Sequence, residues 1–213
     1  MRILLAEDHH VVRKGLRTLL DRRADLEVVA EAADGHAAVE LALEHSPDVV
    51  VMDTMLPGLN GAEATRRILA VRPEVRVVAL SGYCDHVHVS RMLAAGAVAY
   101  LVKDCGPHEL ERAVRAAAMG QTYLDSTTAE LIVDRYHQTR RVGHDRVEAL
   151  LSSREREALQ LLSEGHSTKD IAHIMGVSDK TVESHRRQMM IKLDIHSVAG
   201  LTKFALREGL TGL

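Results

Sequence analysis

The sequence predicts two domains of different fold class, a doubly wound α/β domain with five parallel strands and an all-α domain of four helices. Short apolar runs rich in β-branched residues alternate with helical patterns up to about residue 120. From Leu151 onward every pattern is helical. A chain of 213 residues is long enough for two ordinary domains, each with its own apolar core.

The predicted strands are short, and each pair is separated by enough residues for a helix. Residues 49–52 are continuously apolar, as expected of a strand that is buried on both faces of a parallel sheet. Between the strands, apolar residues recur three and four positions apart, which is the period of a helix packed on a sheet. The predicted strands are residues 3–6, 26–30, 49–52, 75–80 and 99–102.

The first domain is predicted to end with a helix over residues 107–119. Pro107 suits the first turn of a helix, and Gly120 suits the position just after its end. The residues that follow are polar or only weakly amphipathic, so we assign them to a linker. The predicted divisions are domain 1–120, linker 121–148 and domain 149–213.

The four helices of the second domain are predicted from signals at their ends. Ser167 and Ser178 can each accept a hydrogen bond from the first turn of the helix that follows. Gly165 and Gly176 stand where a helix ends in the left-handed conformation. The predicted helices are residues 153–163, 168–175, 179–193 and 197–208.

Side chains that can handle phosphate follow the predicted strands at their carboxyl ends. In a doubly wound sheet these ends meet at one edge, and ligands bind outside that edge. We therefore expect the side chains to lie close together. They are Glu7, Asp8, Asp53, Ser81 and Lys103.

This edge is predicted to bind Mg²⁺ beside a phosphoryl acceptor. Asp53 is the candidate acceptor, and Glu7 and Asp8 supply oxygens for a hard cation. Mg²⁺ favours few carboxylates together with waters and phosphate oxygens. The backbone carbonyl of Met55 is expected to complete the cation's ligands.

Ser81 and Lys103 are expected to contact the phosphoryl oxygens, the first as a hydrogen-bond donor and the second as a cation. His9 and His10 follow the acidic pair, and we assign both to the start of the first helix rather than to the cation. Taken singly, an Asp at a strand end is usually a turn or cap residue. The prediction depends on all these residues occurring in this order.

Positive charge in the second domain is concentrated on the helix predicted over 179–193, whereas residues 1–125 hold 14 Lys or Arg against 18 Asp or Glu. Two helices joined by a short turn, the second of them basic, fit a major-groove recognition helix. The alternative is a solvated basic face on a helical bundle. The expected DNA contacts are Lys180, Thr181, Glu183, Ser184, Arg186, Arg187 and Lys192.

Helical spacing divides this set into two roles. Glu183, Ser184 and Arg187 share one face and suit base edges, with Glu183 accepting from a cytosine amino group. Lys180, Arg186 and Lys192 suit phosphates.

Residues 1 to about 120 resemble the receiver domain of two-component response regulators, which has a flavodoxin-like fold. The resemblance implies that Asp53 takes a phosphoryl group from a phosphohistidine on a sensor histidine kinase, using Mg²⁺. It also implies that Tyr100 rotates inward when Ser81 moves toward the phosphate; the alternative is a partly exposed strand aromatic. Leu56 replaces the usual Met, a volume-matched change. The matching pieces are Glu7-Asp8, Asp53 with 57–61, Leu80-Ser81 and 96–103.

Residues 148–213 resemble a LuxR-type helix-turn-helix, so the whole chain resembles the NarL/FixJ family of response regulators. Thr168 stands where Asn is frequent, and Val198 stands where Arg is frequent. The resemblance implies binding to double-stranded DNA and a homodimer formed through the last helix. The alternative is that the apolar stripe of this helix packs on its own bundle. The matching segments are 151–157, 165–172, 177–185 and 192–193.

The sequence thus predicts a transcription factor controlled by phosphorylation of Asp53, and not an enzyme. An aspartyl-nucleophile phosphohydrolase would carry a second Asp two residues after the nucleophile, where this chain has Met55. A phosphorylation-independent adaptor with the same fold is the second alternative.

Cys84 and Cys105 are too few for a disulfide scaffold or a structural zinc site, and we expect free thiols, with a redox pair as the alternative. No stretch approaches the ~20 apolar residues that span a bilayer. The protein is therefore expected in the cytoplasm.

Overall fold

The computed structural model describes residues 1–138 and 150–211. Its first unit, Met1–Gln138, contains one parallel sheet. The strands are β1 Arg2–Ala6, β2 Glu27–Ala32, β3 Val49–Asp53, β4 Arg76–Ser81, β5 Ala99–Val102 and β6 Tyr123–Leu124. Their order across the sheet is β2-β1-β3-β4-β5-β6. The strands that follow β1 in the chain lie on opposite sides of it, β2 on one side and β3 on the other, so the strand order reverses between β1 and β3. Such a switch point leaves a crevice at the carboxyl ends of the strands.

Five helices cover the two faces of this sheet. They are α1 His10–Asp21, α2 Gly35–His45, α3 Gly61–Val71, α4 His86–Ala94 and α5 Pro107–Ala118. Residues of α2, α3 and α4 form one apolar core with the sheet, and residues of α1 and α5 form the other. β3 is buried at all its positions, as its continuous apolar run predicts.

The sheet has one strand more than the five predicted. β6 aligns Tyr123 with Ala99 of β5 and leads into α6, Ser126–Gln138. In this helix Thr128 is fully buried, and Ile132 packs on the same core as α4. The first part of the predicted linker 121–148 therefore packs on the sheet domain, whereas 139–148 lies outside the described residues. A two-residue strand is too short to give the alternating or apolar run by which strands are predicted.

The start of α3 packs directly on the backbone that carries Asp53. The N–H of Gly61 donates to the carbonyl of Thr54 at 3.1 Å. A Cβ added at Gly61 would lie 2.0 Å from the carbonyl oxygen of Asp53, so only glycine permits this approach.

We expect Gly61→Ala to lower the free energy of unfolding of the first unit by about 1–3 kcal/mol, because the added methyl group must displace backbone. Gly15→Ala is the matched control, since a Cβ at Gly15 in α1 meets nothing within 4 Å. Relief of glycine's backbone entropy should make that variant more stable by about 0.5–1 kcal/mol. Urea unfolding curves measure both changes, and a similar effect of the two substitutions would contradict the packing argument.

The second unit consists of four helices, α7 Ser153–Ser163, α8 Thr168–Met175, α9 Asp179–Leu193 and α10 Val198–Arg207. The first three have the predicted bounds, and the last lies one residue inside its prediction at each end. Ser152 and Ser167 form capping boxes at the starts of α7 and α8. Gly176 ends α8 in the left-handed conformation, with φ +65°.

The apolar stripe of α10 packs mainly on its own bundle. Leu201, Phe204 and Ala205 are buried in the core of the second unit, whereas Val198 is 42% exposed. The geometry thus fits the bundle alternative for most of this stripe. Val198 stays available for another contact.

Within 1–138 and 150–211, no helix is both long enough and apolar enough to cross a membrane.

Candidate functional site

Charged side chains from three strand ends meet in a buried ion cluster. Lys103 Nζ lies 2.7 Å from Asp53 Oδ2 and 2.9 Å from Glu7 Oε1. Asp53 is 3% exposed and Glu7 is 1% exposed, so one ammonium group faces two buried carboxylates. The structure therefore brings together residues that are almost 100 positions apart in the chain.

The cluster shifts the acid–base equilibria of its members. Burial raises the pKa of Glu7, and the charge of Asp53 adds to this, although the hydrogen bond from Lys103 acts in the opposite direction. Burial acts to lower the pKa of Lys103, but its hydrogen bonds to Asp53 and Glu7 outweigh this, and the pKa is raised. Lys103 therefore stays protonated, and Glu7 ionises less readily than an exposed glutamate.

The carboxylate of Asp53 is held at both oxygens. Lys103 binds Oδ2, and the backbone N–H of Met55 donates to Oδ1 at 2.9 Å. This bond fixes the backbone of Met55 next to the carboxylate. The carbonyl of Met55 stays a predicted cation ligand.

Asp8 connects the buried cluster to solvent. Its side chain is 32% exposed. Asp8, Glu7, Asp53 and His9 can place one potential ligand atom each within 4.8 Å of one another. Three carboxylates with one side open to solvent suit a hard cation that keeps several waters, so these residues fit Mg²⁺.

His9 belongs to this cluster, although the sequence assigns it only to the start of the first helix. It occupies the N-cap position of α1 without a side-chain bond to that helix, and its Nδ1 lies 2.8 Å from Asp8 Oδ1. The charge of Asp8 raises the pKa of His9. Because His9 directly follows Glu7 and Asp8 in the sequence, its place in the cluster could have been predicted. His10 is the first residue of α1 and is exposed.

Tyr100 lies inside the sheet domain. Its side chain is fully buried, and its hydroxyl donates to the backbone carbonyl of Tyr83 at 2.7 Å. Burial raises the pKa of Tyr100, so its hydroxyl stays protonated and available as a donor. The alternative of a partly exposed strand aromatic is therefore wrong.

Ser81 is fully buried next to a residue that the sequence did not single out. The hydroxyl groups of Ser81 and Thr54 share a hydrogen bond of 2.8 Å. Ser81 Oγ also accepts from the backbone N–H of Tyr83 at 3.1 Å. Thr54 follows the candidate acceptor Asp53, but only the register between β3 and β4 shows that it lies beside Ser81.

The predicted recognition helix, α9, turns some of its apolar residues inward and most of its polar residues outward, whereas Ile191 is 72% exposed. Val182 and Met189 are buried. Glu183 accepts hydrogen bonds from Arg186 at 2.6 Å and from Thr168 of α8 at 3.3 Å. The predicted DNA contacts that are exposed are Lys180, Glu183, Ser184, Arg187 and Lys192, whereas Thr181 and Arg186 are half-buried.

Two further predicted DNA contacts, besides Glu183 and Arg186, are engaged within the second unit. Lys192 Nζ lies 2.7 and 2.8 Å from the carboxylate oxygens of Glu155, which is buried at the start of α7. Thr181 is half-buried, and its hydroxyl bonds to Ser178, the cap of α9, at 2.8 Å. The first contact ties the C-terminal part of α9 to α7, and the second lies within the N-terminal turn of α9 itself.

Two family descriptions match the chain. Residues 3–115 match "Response regulator receiver domain", and residues 149–205 match "Bacterial regulatory proteins, luxR family". Together they cover most of the sequence, and each falls in one of the two units.

Curated relatives extend over almost the whole chain. The "Oxygen regulatory protein NreC" of Staphylococcus haemolyticus is 38% identical over 214 residues, covering 99% of both chains. The "Transcriptional regulatory protein LiaR" of Bacillus subtilis is 35% identical, again over 99% of both. A solved LuxR-family response regulator from Aurantimonas is 38% identical with a TM-score of 0.61, covering 64% of this chain and 97% of that one.

Proposed function

Because the chain belongs to the response regulators that join a receiver domain to a LuxR-type DNA-binding domain, we propose that a sensor histidine kinase phosphorylates Asp53 and thereby controls binding to double-stranded DNA. The observation that carries this proposal is the buried cluster of Asp53, Lys103 and Glu7 at the carboxyl edge of the sheet. It combines an oriented carboxylate with a fixed cation.

In the proposed reaction the phosphoryl group moves from a phosphohistidine nitrogen to a carboxylate oxygen of Asp53. The N–P bond breaks with its electron pair left on the imidazole, and an O–P bond forms. Lys103 pairs with the transferred oxygens, because its ammonium already lies 2.7 Å from the acceptor. A Mg²⁺ ion held by Glu7, Asp8, Asp53 and the carbonyl of Met55 would shield the negative charge of donor and acceptor.

Phosphate on Asp53 is proposed to act by population shift. The favoured state is one in which Ser81 has moved toward the phosphoryl group; Tyr100, which was expected to rotate inward with it, already lies inward in this structure. This state then raises DNA affinity, either by freeing the DNA-binding domain or by promoting a homodimer on DNA. Sensor kinase, DNA and a second copy of the chain are the proposed partners, and the cytoplasm is the proposed compartment.

The site is proposed to accept phosphate without rapid turnover. Met55 occupies the position where a phosphohydrolase of this type needs an acid–base carboxylate. The proposed domains are 1–120 and 149–213, joined by 121–148, with β6 and α6 as the part of the joining segment that packs on the receiver.

DNA binding with and without phosphate tests this function. The protein treated with acetyl phosphate and Mg²⁺ would first be used to select bound duplexes from a random pool. Its affinity for the selected duplex is expected to fall when acetyl phosphate is omitted. Equal affinity in both states would favour the phosphorylation-independent adaptor.

Arg187 is proposed to read a base edge from the exposed face of α9. We expect Arg187→Ala to weaken binding to the selected duplex by about 1–3 kcal/mol and to relax selection at one base position. Arg207→Ala is the matched control, because Arg207 lies on α10 and its side chain is 71% exposed. Fluorescence anisotropy at fixed salt measures both, and a loss of equal size in the two variants would contradict the assignment.

A further inference from the structure

We propose that Thr54 is a positioning residue for the phosphorylation switch. Its hydroxyl holds the hydroxyl of Ser81 in a resting position and so sets how readily Ser81 turns to a phosphoryl group on Asp53. This inference rests on the proposed function of Asp53 as the acceptor.

The register of the sheet places the two hydroxyl groups side by side. Asp53, the last residue of β3, aligns with Leu80 of β4, so Thr54, directly after the end of β3, lies beside Ser81, the last residue of β4. Their oxygens are 2.8 Å apart. Thr54 is 5% exposed and Ser81 is fully buried, so the hydrogen bond lies in the interior of the domain. Its loss there costs more than at the surface.

Ser81 has limited capacity for hydrogen bonds. A hydroxyl has one donor hydrogen and two acceptor lone pairs. Ser81 Oγ already accepts from the N–H of Tyr83 at 3.1 Å and shares a bond with Thr54. When Ser81 donates the hydrogen of the shared bond, it must rotate or shift to reach a phosphoryl oxygen, and the bond to Thr54 must break.

The same movement reaches Tyr100 through the backbone of Tyr83. The N–H of Tyr83 donates to Ser81, and its carbonyl accepts from the hydroxyl of Tyr100 at 2.7 Å. Thr54, Ser81, Tyr83 and Tyr100 therefore form one hydrogen-bonded chain. Thr54 anchors the end of this chain that lies next to the acceptor.

Removal of the Thr54 hydroxyl should favour the phosphorylated arrangement. The resting state loses one hydrogen bond, whereas a state in which Ser81 has left Thr54 loses none. The net contribution of one such bond corresponds to a shift of about two- to tenfold in the equilibrium between the states. Thr54→Val keeps the branched shape without the hydroxyl, and Thr54→Ser keeps the hydroxyl.

The test is the affinity of the full chain for beryllium fluoride with Mg²⁺, a mimic of a phosphoryl group on Asp53, followed by amide NMR. Thr54→Val is expected to bind the mimic about two- to tenfold more tightly than wild type, and Thr54→Ser is expected to stay within about twofold. Equal or weaker binding by Thr54→Val would overturn the inference.

Two further comparisons separate the inference from the proposed function. In a Ser81→Ala background, Thr54→Val should have no effect on affinity, and a persisting effect would show that Thr54 does not act through Ser81. If wild type fails to bind the mimic, the proposed role of Asp53 falls, and this inference falls with it. Thr54→Ala repeats the comparison if Thr54→Val does not fold.

Discussion

Asp53→Asn is expected to abolish uptake of phosphate from acetyl phosphate while the receiver stays folded. The amide is not a nucleophile for phosphoryl transfer, but it fills the same space as the carboxylate. Loss of the charge also removes repulsion with Glu7, so Lys103 is left with one buried carboxylate to balance. The substitution should therefore cost little stability.

Intact mass after incubation with acetyl phosphate, with and without Mg²⁺, measures this result. Wild type should gain a single phosphoryl group in the presence of Mg²⁺, and Asp53→Asn should gain none. Asp21→Asn is the matched control, because Asp21 is the last residue of α1 and pairs with Arg17; it should be phosphorylated like wild type. An adduct of undiminished yield on Asp53→Asn would place the acceptor elsewhere.

Lys103→Met is expected to destabilise the first unit by about 2–3 kcal/mol when divalent cations are removed. The substitution leaves Glu7 and Asp53 buried without their counterion, a loss that typically costs about 3–5 kcal/mol. We expect less than this typical loss because 22% of the Lys103 side chain is exposed, so solvent already screens part of its charge. Urea unfolding with a chelator present gives the measurement.

The loss of stability in Lys103→Met should depend on pH in a defined direction. The pKa of Glu7 is already raised, and removal of Lys103 takes away the hydrogen bond that opposes the rise. Because the folded state then binds a proton more readily than the unfolded state, stability falls as the pH rises through the interval between the two pKa values. The difference in free energy of unfolding between Lys103→Met and wild type should narrow as the pH is lowered from about 7 to about 5.

Two variants control for the loss of a lysine. Lys14→Met removes an exposed lysine that pairs with Glu31, and it should cost less than about 1 kcal/mol. Adding Glu7→Gln to Lys103→Met should recover part of the stability, because one uncompensated charge is removed. If the loss of stability in Lys103→Met changed neither with pH nor with Glu7→Gln, the loss would come from the packing of the lysine's aliphatic stem and not from its charge.

Local patterns were sufficient to predict most of the elements. The continuous apolar run of β3 depends only on burial of a central strand from both sides. Ser167 and Gly176 mark the ends of α8 because caps satisfy backbone groups within one turn. For the same reason three of the four helices in the second unit have the predicted bounds. The carboxyl ends of the five predicted strands were correct to within two residues, and with them the convergence of Glu7, Asp53 and Lys103 on one edge.

The sequence by itself determined the two fold classes, the acidic edge and the basic face of α9, because each depends on periodicity or on where a strand ends. The tertiary structure alone decided that Thr54 bonds Ser81, that Lys192 is engaged by Glu155 and that Tyr100 is buried. The two contacts join residues far apart in the chain, and the burial of Tyr100 depends on elements that pack around it. They depend on strand register and helix packing, which local patterns do not encode.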